Sequence, residues 1–338
     1  MTVVGVVGAG AWGTALACHA ARRGHEVRLW AREPEVVEDV NARRRNQLFL
    51  AGVELPPMKA TDELGEAVAG AELVLLVPPA QHLRAVASRL AGELDPHALV
   101  VVACKGIEHA HLELPSQVLG EALPAHDPAR LAFLSGPSFA QEVARGLPTD
   151  LVVASAGAIA AKQVQPWLHA PELRIYSSAD PIGVQIGGAI KNVVAIAAGA
   201  CDGLGLGTNA RAAIITRGLA EMTRLGVALG ADPLTFLGLA GVGDLVLTCT
   251  GELSRNRALG TKVAQGLAPQ DYLSSQRSVA EGFTTAAAAW ELARRLGVDM
   301  PITEQVFHVL HRGRALLEAL ELLVTRDIKH ELVGIKLG

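Results

Sequence analysis

Cysteine is sparse and scattered. The chain of 338 residues has four, Cys18, Cys104, Cys201 and Cys249, with no C-x-x-C pair and each among apolar or small neighbours. That spacing argues against a disulfide framework and a thiolate metal site, so no metal is expected, and reduced thiols in a cytoplasmic protein are. An excess of either charge is missing too: 30 Lys and Arg stand against 34 Asp and Glu, a formal net charge of −4. General attraction to nucleic acid or anionic lipid is thereby excluded, and any anion site must be local. The N-terminus enters an apolar pattern at once, "TVVGVVGAG", with no basic stretch before it. Glycines break that run, which suits neither a signal peptide nor an anchor. The longest small and apolar segment, Ile190 to Ala200, is interrupted by Lys191 and Asn192. It falls short of the ~20 residues that span a bilayer, so a soluble protein without membrane insertion is expected. Internal repeats and low-complexity tracts are absent as well.

The chain is rich in material for a core. Hydrophobic residues make up 50% of it and charged residues 19%, and no stretch joins low hydrophobicity to a long charge run, so the chain is globular throughout. Its length suits two domains. From Val3 to about Ser177, short β-branched runs alternate with helical patterns, as in a parallel sheet with crossover helices. Strands are predicted at Val3–Val7, Val27–Trp30, Leu73–Val77, Leu99–Ala103, Leu131–Leu134, Leu151–Ala154 and Leu173–Tyr176. Helices are predicted around Thr14–Arg23, Glu35–Arg43, Leu83–Leu90, Ser116–Ala122, Phe139–Arg145 and Ala160–Leu168. After "SSADPIG" the strand signal stops and helices follow, punctuated by Gly and Pro. One carries the stripe Ile215, Leu219, Met222, Leu225 and Leu229. Others fit Phe283–Leu296 and Thr303–His311. The fold class is α/β plus all-α: a Rossmann-type parallel-sheet domain over residues 1–180, then a helical domain over residues 181–338.

"VVGVVGAGAWGTALACHAARRGHEVRLWAR" places Gly8-x-Gly10-x-x-Gly13 between a strand and a helix, with a second strand beyond. In that setting the glycines allow a tight turn, close approach of backbone to a pyrophosphate, and close helix packing, with phosphate on the helix N-terminus. Dinucleotide binding is the reading. At the end of the second strand an acidic residue selects NAD and an arginine accommodates the 2′-phosphate of NADP. Arg32 followed by Glu33 is a mixed signal. Arg32 favours NADP(H), with NAD(H) use left open.

Three stretches carry the remaining candidates. In "GGAIKNVVAIAAG" Lys191 is the one charge in a nearly apolar helix, and its same-face neighbours Gly187, Gly188, Val194, Ala195 and Ala198 leave clearance beside the ammonium. A lysine whose pKa is lowered by burial and nearby positive charge takes an alcohol proton as hydride leaves. A lysine that snorkels to water is the alternative, and the residues alone do not choose. Lys105 in "VVACKGIE" follows a strand whose C-terminal end faces the ligand crevice of an open sheet, which favours ligand contact over a solvated turn lysine. Ser138 in "LSGPSFAQEVARG" is a candidate contact and equally a candidate helix N-cap. In "LAGVGDLVLTCTGELSRNRALG" Asp244 follows two glycines, and Ser254, Arg255 and Asn256 open a helix as a candidate phosphate cradle.

Assembled, these blocks resemble the bacterial-type NAD(P)-dependent glycerol-3-phosphate dehydrogenases. The likeness runs from the N-terminus to about residue 312, through "GAGAWGTALA", "CKGIE", "SGPSFAQEVARGLPT", "GVQIGGAIKNVVAIAAG", "ITRGLAEMTRLG", "GLAGVGDLVLTCT", "SRNR" and "MPITE". It implies a Rossmann domain and a helical domain of the 6-phosphogluconate dehydrogenase C-terminal type, with substrate held between them. It also implies a cytoplasmic homodimer that interconverts dihydroxyacetone phosphate and sn-glycerol 3-phosphate for phospholipid synthesis. Carried over by the resemblance, Lys191 is the proton acceptor. Gly8, Gly10, Ala11, Trp12, Gly13, Arg32, Lys105, Ala140, Arg255, Val279 and Glu281 contact the cofactor. Lys105, Gly136, Ser138, Lys191, Asp244, Ser254, Arg255 and Asn256 contact the substrate. The departures are small: Ala11 stands where many relatives have Ser, and Cys104 where Thr is frequent. A related β-hydroxyacid or sugar-phosphate dehydrogenase and a non-catalytic nucleotide sensor are the rival readings. The first predicts a carboxylate site in place of the phosphate cradle, and the second leaves the lysines and "SRN" without a joint purpose.

Overall fold

The computed structural model describes residues 2–275 and 280–326. It forms two compact units. One comprises the chain up to Cys104 together with Pro115–Pro181; the other comprises Lys105–Leu114 and the chain from Ile182 onward. The sequence reading assigns Lys105–Leu114 to the first domain, but this segment belongs with the second. Its apolar residues Ile107, Leu112 and Leu114 pack in the helical core with Ile190 and Phe236.

The first unit is built on strands β1 (Val3–Val7), β2 (Glu26–Trp30), β3 (Lys59–Thr61), β4 (Leu73–Leu76), β5 (Leu99–Val102), β6 (Leu131–Ser135), β7 (Thr149–Ala154) and β8 (Leu173–Ser178). They lie in the order 3-2-1-4-5-6-7-8, whose first six positions are the doubly wound nucleotide-binding order. Seven of the strands were legible as apolar runs, since strands buried on both faces need no polar alternation. β3 was not: three residues beginning with a lysine give no pattern. The sequence predicts a parallel sheet throughout, but β7 runs antiparallel to β6. Residues 136–148 carry only the short helix Ala140–Ala144, and the chain turns back instead of crossing over. The reversal of strand order between β1 and β4 makes the crevice at their C-terminal ends the place for a ligand.

The second unit is helical, centred on the helix Pro181–Gly203, of which nearly every residue after Ile182 is buried. This helix is long and apolar enough to cross a membrane, because it extends well beyond the segment Ile190–Ala200 that the sequence suggested. Its most apolar 18-residue window is 94% buried inside the protein, as in a core helix. Small residues explain how it is enclosed. A Cβ at Gly187 would collide with the backbone of Ala240, one at Gly199 with the backbone of Arg257, and one at Gly260 with the backbone of Ile196. The helix therefore meets its neighbours backbone to backbone, and its glycines serve this contact. A second fixed point is Glu221, buried in the helix Gly207–Ala228. Its carboxylate accepts from the backbone N–H of Ile302 and of Thr303 and from the Thr303 hydroxyl, capping the helix Pro301–Arg312 from outside.

Candidate functional site

In the first unit the glycine turn joins β1 to the helix Ala11–Arg22. Gly8 has φ +116°, and a Cβ there would lie 2.7 Å from the carbonyl oxygen of Val77 beyond β4, so only glycine fits at this crossing of β1 and β4. A Cβ at Gly13 would strike the Gly8 carbonyl, while one at Gly10 would meet nothing within 4 Å. Open space at Gly10 and a helix start with no side-chain cap leave the first N–H groups of the helix for a ligand. The residues present thus fit a dinucleotide pyrophosphate. Ala11 and Trp12 open that helix. Arg32, just beyond β2, is 76% exposed at its side chain and donates to Glu33 Oε1 at 2.8 Å, so a basic and an acidic group stand together at the end of the second strand. Gly136 has φ +127°, and Ser138 Oγ donates to its carbonyl at 2.9 Å. Ser138 is therefore not a helix N-cap: that position of Ala140–Ala144 falls on Phe139, and Ala140 is the first helical residue.

In the second unit Lys191 and Lys105 converge on one carboxylate. Lys191 Nζ donates to Asp244 Oδ1 at 2.7 Å and to Thr248 Oγ1 at 2.8 Å, and Lys105 Nζ donates to Asp244 Oδ2 at 2.7 Å. Lys191 is 7% exposed and Asp244 1%, so the lysine does not snorkel. The approach of Gly187 to Ala240 seats the turn Leu239–Gly243, which delivers Asp244 as the first residue of the helix Asp244–Thr250. The glycine is scaffolding for Asp244, and not the clearance for substrate that sequence suggested. Thr248, one helical turn after Asp244, donates to the Asp244 backbone carbonyl at 2.6 Å, which orients its lone pairs toward the ammonium.

The electrostatics follow from this geometry. Burial pushes Lys191 down to about 8; Asp244 opposes the fall and Lys105 adds to it. Burial alone would raise the Asp244 carboxyl, but the two ammonium groups hold it below the usual carboxylate range. The outcome is an ionised aspartate beside a lysine that changes protonation near neutral pH.

The "SRN" cluster is partly committed. Ser254 caps the helix Arg255–Ala264, its Oγ accepting from the Arg257 N–H at 3.2 Å. Asn256 donates to Asn192 Oδ1 at 2.8 Å and accepts from the Gly282 N–H at 2.9 Å. It ties the residue after Lys191 to the start of the helix Glu281–Leu296, and its amide retains one N–H and one lone pair for a ligand. Arg255 opens the helix at its first position; although the residue keeps exposed surface, the protein around its guanidinium lowers it from its ordinary range, and the Glu281 carboxylate opposes that fall. Val279 lies outside the described residues. Sequence reasoning missed Thr248 and Asn192. The D-x-x-x-T spacing, which puts Thr248 on the same helical face as Asp244, is the signal that would have found the first.

With the geometry in place, the family models are decisive. The model described as the N-terminus of NAD-dependent glycerol-3-phosphate dehydrogenase matches residues 3–161, and that of its C-terminus residues 180–321. This chain belongs to the NAD-dependent glycerol-3-phosphate dehydrogenase family. Among relatives, it is 54% identical over 329 residues to a glycerol-3-phosphate dehydrogenase [NAD(P)+] of Geobacter metallireducens, covering 97% of this chain and 98% of that one. To the enzyme of the same name from Geobacter sulfurreducens it is 52% identical over the same shares. Its fold superposes on the crystal structure of glycerol-3-phosphate dehydrogenase from Coxiella burnetii with a TM-score of 0.92 at 37% identity, covering 96% of this chain and 99% of that one.

Proposed function

We propose that the protein catalyses reversible hydride transfer between NADPH or NADH and C2 of dihydroxyacetone phosphate, giving sn-glycerol 3-phosphate. The observation that carries the chemistry is the buried Lys191, held by Asp244 and Thr248 and titrating near neutrality. The glycine turn, with Ala11, Trp12 and Arg32, would hold the dinucleotide. When bound, NAD(P) supplies the hydride donor or acceptor. In reduction the Lys191 ammonium polarises the C2 carbonyl and gives its proton to the oxygen; in oxidation the neutral amine takes the C2 hydroxyl proton. Asp244 keeps the ammonium oriented and accessible near pH 8, and Lys105 shares that carboxylate and adds positive charge for the substrate. The substrate phosphate is assigned to Arg255, to the Ser254 hydroxyl, which can donate while its oxygen caps the helix, and to the remaining amide hydrogen of Asn256. Arg32 beside Glu33 supports use of both cofactors with NADP(H) preferred. A cytoplasmic homodimer working in phospholipid synthesis completes the reading, supported by the family and by the reduced thiols.

A nicotinamide absorbance assay with dihydroxyacetone phosphate, run separately with NADPH and NADH, tests the proposal. Oxidation of either cofactor is the expected result, faster with NADPH. Turnover of short 2-keto or 3-keto acids with none of dihydroxyacetone phosphate would replace it by the β-hydroxyacid reading, and cofactor binding without turnover by the sensor.

A further inference from the structure

A side chain outside every motif discussed so far reaches the glycine turn. Asn46 follows the helix Pro34–Arg43, is 0% exposed, and donates from Nδ2 to the Ala9 carbonyl at 2.9 Å and to Thr14 Oγ1 at 2.8 Å. Thr14, equally buried, donates from Oγ1 to the same Ala9 carbonyl at 3.1 Å. The middle residue of Gly8-Ala9-Gly10 thus has its carbonyl fixed by two buried donors that also bond each other. A peptide unit is planar and trans, so its C=O and the following N–H point in opposite directions. Drawing the Ala9 carbonyl inward turns the Gly10 N–H outward, on the residue whose Cβ direction is open. Asn46 is itself locked: its Oδ1 accepts from the Phe49 N–H at 3.1 Å and its carbonyl from the Leu50 N–H at 2.8 Å, and Leu50 is 1% exposed in the sheet core.

We infer that Asn46, acting with Thr14, is a positioning residue for the cofactor site: it sets the peptide plane between Ala9 and Gly10 and so aims the Gly10 N–H at the dinucleotide pyrophosphate. This rests on the proposed placement of that pyrophosphate on the glycine turn. The side chain touches neither cofactor nor substrate, and its effect falls on cofactor affinity and not on the chemical step. Without it the peptide unit gains freedom to rotate, and the donor must be oriented at the moment of binding, which weakens binding by the worth of about one hydrogen bond.

Thr14→Val is the discriminating variant, since it removes one donor to the Ala9 carbonyl without adding charge. Asn46→Asp keeps the Oδ1 acceptor for Phe49 N–H and puts a carboxyl oxygen in place of the amide donor to Ala9. The full-length enzyme is compared with Asn46→Asp, Thr14→Val and Gly10→Ala for NADPH and NADH dissociation constants by fluorescence titration, for adenosine 2′-monophosphate binding, for kcat at saturating cofactor and for melting temperature. The expected result for both Asn46→Asp and Thr14→Val is NADPH and NADH binding weakened about five- to tenfold. Affinity for the monophosphate, which lacks the pyrophosphate, stays within twofold and so does kcat. Unchanged dinucleotide affinity in folded Asn46→Asp and Thr14→Val, with Gly10→Ala impaired, overturns the role of Asn46 alone. Unchanged affinity in all three variants, Gly10→Ala included, overturns the glycine-turn placement beneath it. Should Asn46→Asp fail to fold, the near-isosteric Thr14→Val, which loses one of the two bonds to the same carbonyl, decides by the same measures.

Discussion

Replacing Asp244 by Asn should displace the pH dependence of the reaction without abolishing it. The carboxamide keeps the shape of the side chain and one acceptor oxygen for Lys191 Nζ, now 2.7 Å away, but removes the negative charge that opposes the effect of burial. In the parent Lys191 titrates at about 8, so at pH 7.5 about three-quarters of the molecules carry the ammonium that protonates the carbonyl oxygen. An opposite charge in direct contact sustains a protonated group by about one to three pH units. Losing about two of them leaves an ammonium fraction of about one in thirty at pH 7.5, a fall of about twentyfold. The Lys105 ammonium, which no longer faces a carboxylate at residue 244, acts in the same direction. The assay is kcat/KM for dihydroxyacetone phosphate reduction at saturating NADPH from pH 5 to 9, taken as the ratio of variant to parent so that the substrate's own titration cancels. The expected ratio is about one-twentieth at pH 7.5 and rises as the medium is acidified, whereas oxidation of sn-glycerol 3-phosphate reaches its plateau at lower pH than in the parent. A ratio constant across the range would refute the reasoning, since it would mean that Asp244 acts through packing alone.

Two further substitutions probe the scaffold and cofactor selection. Arg32→Ala should raise the KM for NADPH about tenfold and leave that for NADH within twofold, because only the 2′-phosphate needs the guanidinium; equal effects on both cofactors would remove Arg32 from the ribose site. Gly187→Ala should lower stability by about 1–3 kcal/mol and depress turnover together with it, since the added methyl must push the central helix off the turn that delivers Asp244. Thermal melting and kcat on one preparation check this, and a variant that melts like the parent contradicts the backbone contact.

The strands of the sheet were legible because buried parallel strands are written as uninterrupted apolar runs. β3 carried no such run, and no residue in β7 encodes that it lies antiparallel to β6. Lys191 was conspicuous as a charge in an apolar helix, yet its fate depended on partners 53 and 57 residues away, which local periodicity does not reach. The same limit misassigned Gly187, whose want of a side chain serves a neighbouring backbone, and underlies the cap reading of Ser138, whose hydroxyl turns back on Gly136. Asn46 sat in a charged stretch, "NARRRNQLFL", with no pattern to distinguish it; only the fold brings its amide to Ala9. The glycine motif was legible for the opposite reason, since its strand, turn and helix are contiguous in the chain.

The most direct test of the central claim is Lys191→Ala, with turnover and cofactor affinity measured on the same folded preparation. The account predicts a turnover number for dihydroxyacetone phosphate reduction lower by about 10²-fold or more, with the NADPH dissociation constant unchanged. Turnover close to that of the parent would contradict it and would mean that another group carries the proton.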